Sequence, residues 1–227
     1  MVKRLCVIPA RGGSKRFPRK NIQPLAGKPL LLWTLEAVQR AEIFNRIIVS
    51  TEDEEIAEIA REAGPFVPFM RPGLLATDTV SCDQVALSVI EILENQGEKF
   101  DTICIALPTC PFRSSKHVRE AHELFDSRPE PNLMSVTPFE HQPFWAQGVD
   151  MNGCLVPHFP EHFRLRRQDL PESYRPNGAL HILDVTWFKE KGTYSELPVI
   201  GYVMPNECSF DIDTEGDLRA AECFLKQ

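Results

Sequence analysis

The sequence predicts an α/β fold in which a mostly parallel sheet lies between two layers of helices. Short apolar runs alternate with stretches of helical composition along most of the 227 residues. Because a parallel strand must be reached by a crossover connection, this alternation is typical of a three-layer α/β fold. Residues 139–176 interrupt the alternation with proline and aromatic residues, and we call this segment the 139–176 excursion. We expect an α/β core built from residues 1–138 and 177–227.

Each element of the core is predicted from its own signal. Strands are predicted at the short apolar runs, which occupy residues 5–9, 46–50, 101–107, 133–139, 178–185 and 198–204. Helices are predicted at residues 29–41, 51–64, 81–97, 114–125 and 214–225. Thr51 with Glu54, and Ser81 with Gln84, have the spacing of a capping box, which marks the start of a helix. Gly64 has the position of a typical helix stop.

The composition limits the classes to which the protein can belong. With 43% hydrophobic residues the chain can bury a core, and it has no uninterrupted run of about 18 apolar residues that would predict a membrane span. The formal net charge of -7 argues against a broad basic surface for nucleic acid. The chain has seven cysteines, which is an odd number, and no two of them have the spacing CxxC. We therefore expect a reduced, cytoplasmic protein without a zinc site.

Positive charge is concentrated in one short loop after the first predicted strand. Five of the ten residues from Arg11 to Lys20 are cationic and none is anionic, and we call this segment the basic loop. In open α/β sheets, ligands bind beyond the carboxyl ends of the strands, which is where this loop lies. Gly12 and Gly13 would let backbone N–H groups approach an anion closely. The pattern predicts a phosphate-binding loop, and the alternatives are a solvated basic loop or a run that resembles a nuclear-targeting signal.

A second chemical signal is the acidic segment FDID near the end of the chain. Asp211 and Asp213 are two residues apart, and in an extended segment such residues point to the same side. Two carboxylates together suit Mg²⁺, which prefers oxygen ligands. The segment therefore predicts a magnesium site, and the alternative role is capping of the last helix by Asp213.

Several motifs together resemble those of the CMP-sialic acid synthetases, which are acylneuraminate cytidylyltransferases. The resemblance covers nearly the whole chain in order, and its motifs are IPARGGSKRFPRKNI, VSTEDEEIAEIA, RPGLLATDTVS, LPTCPFR, RRQDLPESYRPNGAL and FDIDTEGDL. Enzymes of that family make an activated sugar from CTP and a nine-carbon 2-keto-3-deoxy sugar acid of the sialic acid type, and they release pyrophosphate. The resemblance implies a fold like that of the nucleotide-diphospho-sugar transferases, and Mg²⁺ as the cofactor.

The resemblance also implies roles for individual residues. Those implied to hold CTP are Arg11, Gly13, Ser14, Lys20 and Asn21, with Arg71 and Ser81 beside the base or ribose. Lys20, Arg11 and Asp211 are implied to be catalytic, with Lys20 stabilising the charge that moves to the leaving pyrophosphate. Arg167, Arg175 and Asn177 are implied to bind the sugar acid and, for the arginines, the phosphates. We also expect the 139–176 excursion to form a homodimer, because a second copy is the simplest cover for its apolar groups.

Two positions depart from the family pattern, and both lie on the sugar side. Leu107 stands where the family has a glutamine that contacts the sugar, and Trp145 stands where it has a lysine. The sugar is therefore open between N-acetylneuraminate, its deaminated relative, legionaminate and pseudaminate, although RPNGA favours the neuraminate and legionaminate branches. The alternatives are a cytidylyltransferase for the eight-carbon acid Kdo or another sugar nucleotidyltransferase, and a catalytically silent nucleotide-binding subunit.

Overall fold

The central element of the molecule is a six-stranded sheet. It is seen in a computed structural model that describes residues 2–226. The strands are β1 (Arg4–Pro9), β2 (Pro24–Leu25), β3 (Lys28–Pro29), β4 (Arg46–Ser50), β5 (Thr102–Ile105), β6 (Asn132–Pro138), β7 (Gln147–Val149), β8 (Leu155–Pro157), β9 (Tyr174–Asp184) and β10 (Ile200–Val203). In the main sheet their order is β10–β6–β9–β5–β1–β4. There β9 pairs antiparallel with β5 and β6, while the other pairs are parallel, so the predicted mostly parallel sheet is confirmed.

Helices cover both faces of this sheet. They are α1 (Leu30–Gln39), α2 (Glu54–Ala63), α3 (Cys82–Asn95), α4 (Ser115–Asp126), α5 (Val185–Lys191) and α6 (Glu215–Leu225). Cys6 and Ile8 of β1 share a core cluster with α1, α2 and α4, whereas Leu5 and Val7 share another with α3 and α5. Successive residues of a strand point to opposite faces, so a continuous apolar run serves both layers. The predicted three-layer architecture is confirmed.

The capping residues predicted from the sequence are partly confirmed by the observed helix ends. Ser81 forms the predicted capping box with Gln84, and the helix α2 stops at Gly64 as expected. The prediction that Thr51 caps α2 is wrong, because Asp53 is the cap and accepts a hydrogen bond from the backbone N–H of Ile56 at 3.1 Å. Thr51 is instead buried at the end of β4, where its hydroxyl accepts from the N–H of Asp53.

The short helix α5 was not predicted from the sequence. Its residues VTWFKEK are β-branched or aromatic at the start, so they read as an extension of the preceding strand. The carboxylate of Asp184 accepts a hydrogen bond from the N–H of Trp187 at 2.8 Å, and this cap turns the chain into a helix. The loop after α5 then reaches the site described below.

The 139–176 excursion carries little regular structure. It holds the hairpin of β7 and β8, and Phe144 packs on the ring of His162 at 4.7 Å between centroids. Its last residues belong to β9, which begins at Tyr174 because Tyr174 and Arg175 pair with β6. The large apolar side chains that it exposes are Trp145, Val149, Met151, Leu155, Val156, Phe159, Phe163, Leu165 and Tyr174. Between residues 2 and 226, none of the helices has the length and apolar character needed to cross a membrane.

Candidate active site

A cavity of about 380 Å³ opens at the carboxyl ends of β1 and β5. Its polar and aromatic lining residues are Arg11, Lys20, Asn21, Arg71, Asp78, Ser81, Thr109, Tyr194, Asp211 and Asp213. A second cavity of about 320 Å³ shares four of these residues and adds Ser14, Lys15 and Arg16 of the basic loop. The two cavities therefore adjoin and are treated as one site, because both are lined by Arg11, Lys20, Asp78 and Asp213.

The structure brings most of the predicted nucleotide residues together. Arg11, Lys20, Asn21, Arg71 and Ser81 line the first cavity, although they are spread over some seventy positions of the chain. Ser14 is among the residues that line the second cavity. Gly13 lies in the same loop but lines neither cavity.

The basic loop is held in shape by partly buried hydrogen bonds. The side-chain amide of Asn21 donates to the carbonyl of Arg11 at 2.8 Å, and the N–H of Gly12 donates to a carboxylate oxygen of Glu52 at 2.8 Å. A Cβ at Gly12 would lie 2.3 Å from Oδ2 of Asp53, whereas a Cβ at Gly13 would meet open space. Glycine is thus required at position 12 for close packing against the start of α2, and its N–H is engaged by a carboxylate of the chain itself.

Every cation of the basic loop has an acidic partner. Arg11 and Lys15 pair with Asp78 at 3.0 and 2.6 Å, Arg16 and Lys20 pair with Asp213 at 3.4 and 2.6 Å, and Arg19 pairs with Asp53 and Glu55. Five cations thus face four carboxylates, so most of the concentrated positive charge that the sequence shows is neutralised within the chain. An anionic ligand of this loop has to displace carboxylates as well as water.

Asp211 and Asp213 both face the first cavity, as the FDID segment predicts. Burial raises the pKa of Asp211, and the negative charge of Asp213 raises it further. The hydrogen bond from Lys20 lowers the pKa of Asp213. The helix α6 is capped by Thr214, so the alternative in which Asp213 caps this helix is wrong.

The two carboxylates fit a divalent cation. They supply oxygen ligands of the kind that Mg²⁺ prefers, and a cation would compensate the burial of Asp211. Within residues 2–226, no group of three or more histidine, cysteine, aspartate or glutamate side chains could hold a metal ion. The remaining ligands of such an ion would therefore be waters or phosphate oxygens, as is common for Mg²⁺.

Arg71 is a buried part of the cavity wall. Its Nε donates to the hydroxyl of Ser50 at 3.1 Å, and a second nitrogen donates to the carbonyl of the same residue. The third nitrogen lies 3.6 Å from Glu52, and burial lowers the pKa of the guanidinium. Most of its donors are engaged, so Arg71 fixes the wall between β4 and the basic loop.

The three predicted sugar residues lie outside both cavities. Asn177 is buried in the core, where its oxygen accepts from Ser135 at 2.6 Å and its nitrogen donates to Ser209 at 2.9 Å. Arg175 is part of β9, and Arg167 is exposed in a short 3-10 turn of the 139–176 excursion. The side chain of Asn177 therefore links β9 to β6 and to the turn that ends at Ser209, and binding of a sugar by these three residues stays a prediction.

Three of the polar and aromatic residues that line the first cavity were missed by the sequence reasoning, namely Asp78, Thr109 and Tyr194. Asp78 lies inside the segment RPGLLATDTVS, and its place in this motif of the family resemblance is the signal that could have identified it. Tyr194 follows the unpredicted helix α5, and no local pattern marks it. Burial raises its pKa to about 12, and its ring stacks on the buried ring of His181 at 4.2 Å. Tyr194 therefore gives the cavity a fixed aromatic wall.

Comparison with known proteins identifies the family. A family model described as cytidylyltransferase matches residues 5–153, which is more than half of the chain. A pseudaminic acid cytidylyltransferase of Campylobacter jejuni is 34% identical over 226 residues, with 99% of this chain and 97% of the relative covered. A CMP-N,N'-diacetyllegionaminic acid synthase of Legionella pneumophila is 32% identical, with 98% and 96% covered. An N-acylneuraminate cytidylyltransferase of Streptococcus agalactiae is 33% identical, with 95% of this chain but 52% of the relative covered.

Solved structures share the fold at much lower sequence identity. A CMP:2-keto-3-deoxy-manno-octonic acid synthetase complexed with CTP has a TM-score of 0.75 and 15% identity, with 99% of both chains covered. A 4-diphosphocytidyl-2C-methyl-D-erythritol synthase of Anaerococcus prevotii has a TM-score of 0.68 and 12% identity, with 100% of this chain and 97% of that chain covered. These likenesses concern the fold alone. Because the family model spans more than half of the chain and relatives matched almost end to end exceed 30% identity, the chain belongs to the cytidylyltransferase family, in its CMP-sialic acid synthetase-like group, and is a nucleotidyltransferase.

Proposed function

We propose that this protein transfers CMP from CTP to the anomeric hydroxyl of a nine-carbon 2-keto-3-deoxy sugar acid of the sialic acid type, with release of pyrophosphate. The observation that carries the proposal is one site in which the basic loop faces a pair of carboxylates, in a chain of the cytidylyltransferase family. Support for the sugar class comes from the names of the relatives, which specify pseudaminic, diacetyllegionaminic and N-acylneuraminic acids.

The basic loop would carry the charge of the nucleotide. Arg11 and Lys20 would hold the triphosphate, since guanidinium and ammonium groups are strong partners of phosphate oxygens. The sugar oxygen would form a bond to the α-phosphorus while the bond to the bridging oxygen of the β-phosphate breaks, and the hydroxyl proton would be released. Charge then accumulates on the leaving pyrophosphate, and Lys20 is the loop cation best shielded from solvent to stabilise it.

Asp211 and Asp213 would hold Mg²⁺. When bound, the ion would neutralise phosphate oxygens and lower the pKa of the attacking hydroxyl. The ammonium group of Lys20 lies 2.6 Å from Asp213, so this lysine helps to orient one of the two carboxylates toward the site.

A second copy of the chain would complete the part of the site that binds the sugar acid. Arg167 lies outside the cavities of its own chain and sits in the 139–176 excursion, which exposes apolar side chains. We propose that two excursions pack against each other in a homodimer, which would bring Arg167 of one copy toward the site of the other.

The seven free cysteines agree with the reducing cytoplasm that we propose as the location of the enzyme.

A panel of acceptors tests the proposed reaction. The purified protein is incubated with CTP, Mg²⁺ and either N-acetylneuraminate, its deaminated relative, legionaminate, pseudaminate or Kdo, and pyrophosphate release and the CMP-sugar mass are measured. We expect one of the nine-carbon acids to be converted with a higher kcat/KM than Kdo. Conversion of Kdo alone would contradict the nine-carbon assignment, and no conversion of any acid would indicate a silent nucleotide-binding subunit.

The metal assignment is tested by Asp211→Asn. Loss of a residue that merely supports a metal ligand costs about 10- to 100-fold, so loss of a ligand should lower kcat/KM by at least about 100-fold. Binding of Mn²⁺ in the presence of CTP, measured by electron paramagnetic resonance, should weaken in parallel. Asp126→Asn, which removes an acid that pairs with Arg4 outside both cavities, serves as the control and should change neither quantity. Full activity of the unmodified protein in excess EDTA would refute the metal role.

A further inference from the structure

Asp78 connects two walls of the site. It lies in the segment between the 3-10 turn Gly73–Leu75 and the helix α3, whereas its partners follow β1. Its Oδ1 accepts from Nη1 of Arg11 at 3.0 Å, and its Oδ2 lies 2.6 Å from Nζ of Lys15. The carboxylate lines both cavities. It therefore occupies a position in which an anionic ligand would contact Arg11 and Lys15 together.

We propose that Asp78 is a built-in competitor of the nucleotide phosphates, which lowers the affinity of the site for anions and makes binding depend on several phosphate charges. The inference rests on the proposed use of CTP. A ligand must exchange the carboxylate of Asp78 for its own oxygens on the same two cations. A triphosphate or pyrophosphate can replace both contacts at once, whereas a ligand with few charges gains less. Such a repulsive element discriminates between ligands as effectively as an attractive one does.

Asp78 suits this role better than the other acidic partners of the basic loop. Asp213 faces the predicted metal position, and Asp53 caps the helix α2. Among the described residues, the hydrogen-bonding and ion-pair partners of the Asp78 carboxylate are Arg11 and Lys15. Its side chain is 43% exposed, so it can leave these cations for water without disturbing the core. The hydrogen bond from Lys15 lowers its pKa, in the direction that favours the charged carboxylate.

Direct binding measurements on Asp78→Asn test the inference. Isothermal titration with CTP, inorganic pyrophosphate and cytidine compares the variant with the unmodified protein. An exposed ion pair has a modest strength, and two are removed, so we expect a roughly three- to tenfold lower Kd for CTP and pyrophosphate. The Kd for cytidine, which has no phosphate, should stay the same. In the steady state, pyrophosphate should become a stronger product inhibitor.

The control is Asp126→Asn, the same substitution at an acid of similar exposure (41%) that pairs with Arg4 away from the site. It should leave all three affinities unchanged, and thermal unfolding curves should establish that both variants are folded. An equal or weaker affinity of Asp78→Asn for CTP and pyrophosphate overturns the inference and makes Asp78 a ligand of the nucleotide or its cation. Failure of the unmodified protein to bind CTP would contradict the proposed function instead, and the pyrophosphate titration would still decide the role of Asp78.

Discussion

Lys20 is the best-shielded cation of the basic loop. Its side chain is 17% exposed, compared with 36% for Arg11 and 84% for Lys15, and its ammonium group lies 2.6 Å from Asp213. A charge that is partly withdrawn from water interacts more strongly with a neighbouring anion than an exposed one does. Among the loop cations, Lys20 is therefore the one for which loss of the side chain should have the largest effect on chemistry.

We predict that Lys20→Ala lowers kcat for CTP-dependent pyrophosphate release by about 100-fold or more, as removal of a charge-stabilising donor from an active site typically does. Steady-state kinetics with varied CTP provide the measurement. The matched control is Lys189→Ala, which removes a lysine with the same 2.6 Å contact to a carboxylate, that of Glu94, outside both cavities. Equal kinetics of the two variants would remove Lys20 from the mechanism.

A second single-residue effect concerns stability at acid pH. Burial lowers the pKa of His181 to about 4, below the ordinary value of 6.5. The unfolded chain therefore takes up a proton below pH 6.5 while the folded chain resists it until about pH 4, so this group lowers stability as the pH falls through that range. From pH 7 to pH 5 the loss should be about 2 kcal/mol.

His181→Phe keeps an aromatic ring against Tyr194 and removes the titration. In urea unfolding at pH 7 and pH 5, this variant should lose about 2 kcal/mol less between the two pH values than the unmodified protein. His141→Gln, at an exposed histidine, should behave like the unmodified protein. An unchanged pH dependence in His181→Phe would show that His181 does not titrate differently on folding.

At the scale of elements, the basic loop is packed against the start of α2. Gly12 leaves no room for a Cβ, because Asp53 caps that helix beside it, while Gly13 faces open space. We predict that Gly12→Ala lowers the free energy of unfolding by about 1–3 kcal/mol, the usual cost of overpacking. Gly13→Ala is the matched comparison and should leave stability nearly unchanged. Urea titrations measure both, and equal stabilities of the two variants would contradict the packing.

The elements that the sequence predicted correctly are those with local signals. Apolar runs marked the six strands of the main sheet, and Ser81 marked the start of α3. The helix α5 and the cap of α2 were not predicted correctly, for different reasons. The residues VTWFKEK have strand-like composition at their start and become helical through the cap by Asp184. At α2 the side chains of Thr51 and Asp53 lie close together, and it is Asp53 that accepts from the free N–H of Ile56. Pattern alone does not decide between such competitors.

The candidate site was predicted in part, and chiefly through motifs. The basic loop and the FDID segment were recognised by charge and spacing, and the fold brings both to one cavity. The structural role of Asn177 could not be predicted, because its hydrogen bonds to Ser135 and Ser209 join positions far apart in the chain. Tyr194 was unpredictable for the same reason, since its place depends on the packing of α5. Contacts of this length are fixed by the tertiary structure and leave no local pattern.

At the scale of the whole molecule, the exposed apolar groups of the 139–176 excursion predict a homodimer. Light scattering should give twice the mass of the 25.8 kDa chain at micromolar concentration. Leu155→Glu, at a side chain that is 64% exposed, should yield monomers with reduced activity, because it places a charge in an apolar interface. Leu197→Glu, at an 80% exposed leucine outside the excursion, is the control. A monomeric unmodified protein would exclude this interface.

The position of β9 has a consequence for synthesis of the protein. Since β9 lies between β5 and β6, the sheet without it consists of two separate pieces, β5–β1–β4 and β10–β6. A nascent chain must therefore emerge from the ribosome through about Asp184 before its first strands can join the rest of the sheet. Until then the strand edges of β5 and β6 are open to other chains, which makes shortened products prone to aggregate. We therefore expect that a fragment limited to residues 5–153, the part matched by the family model, does not form the complete sheet, because it lacks β9 and β10.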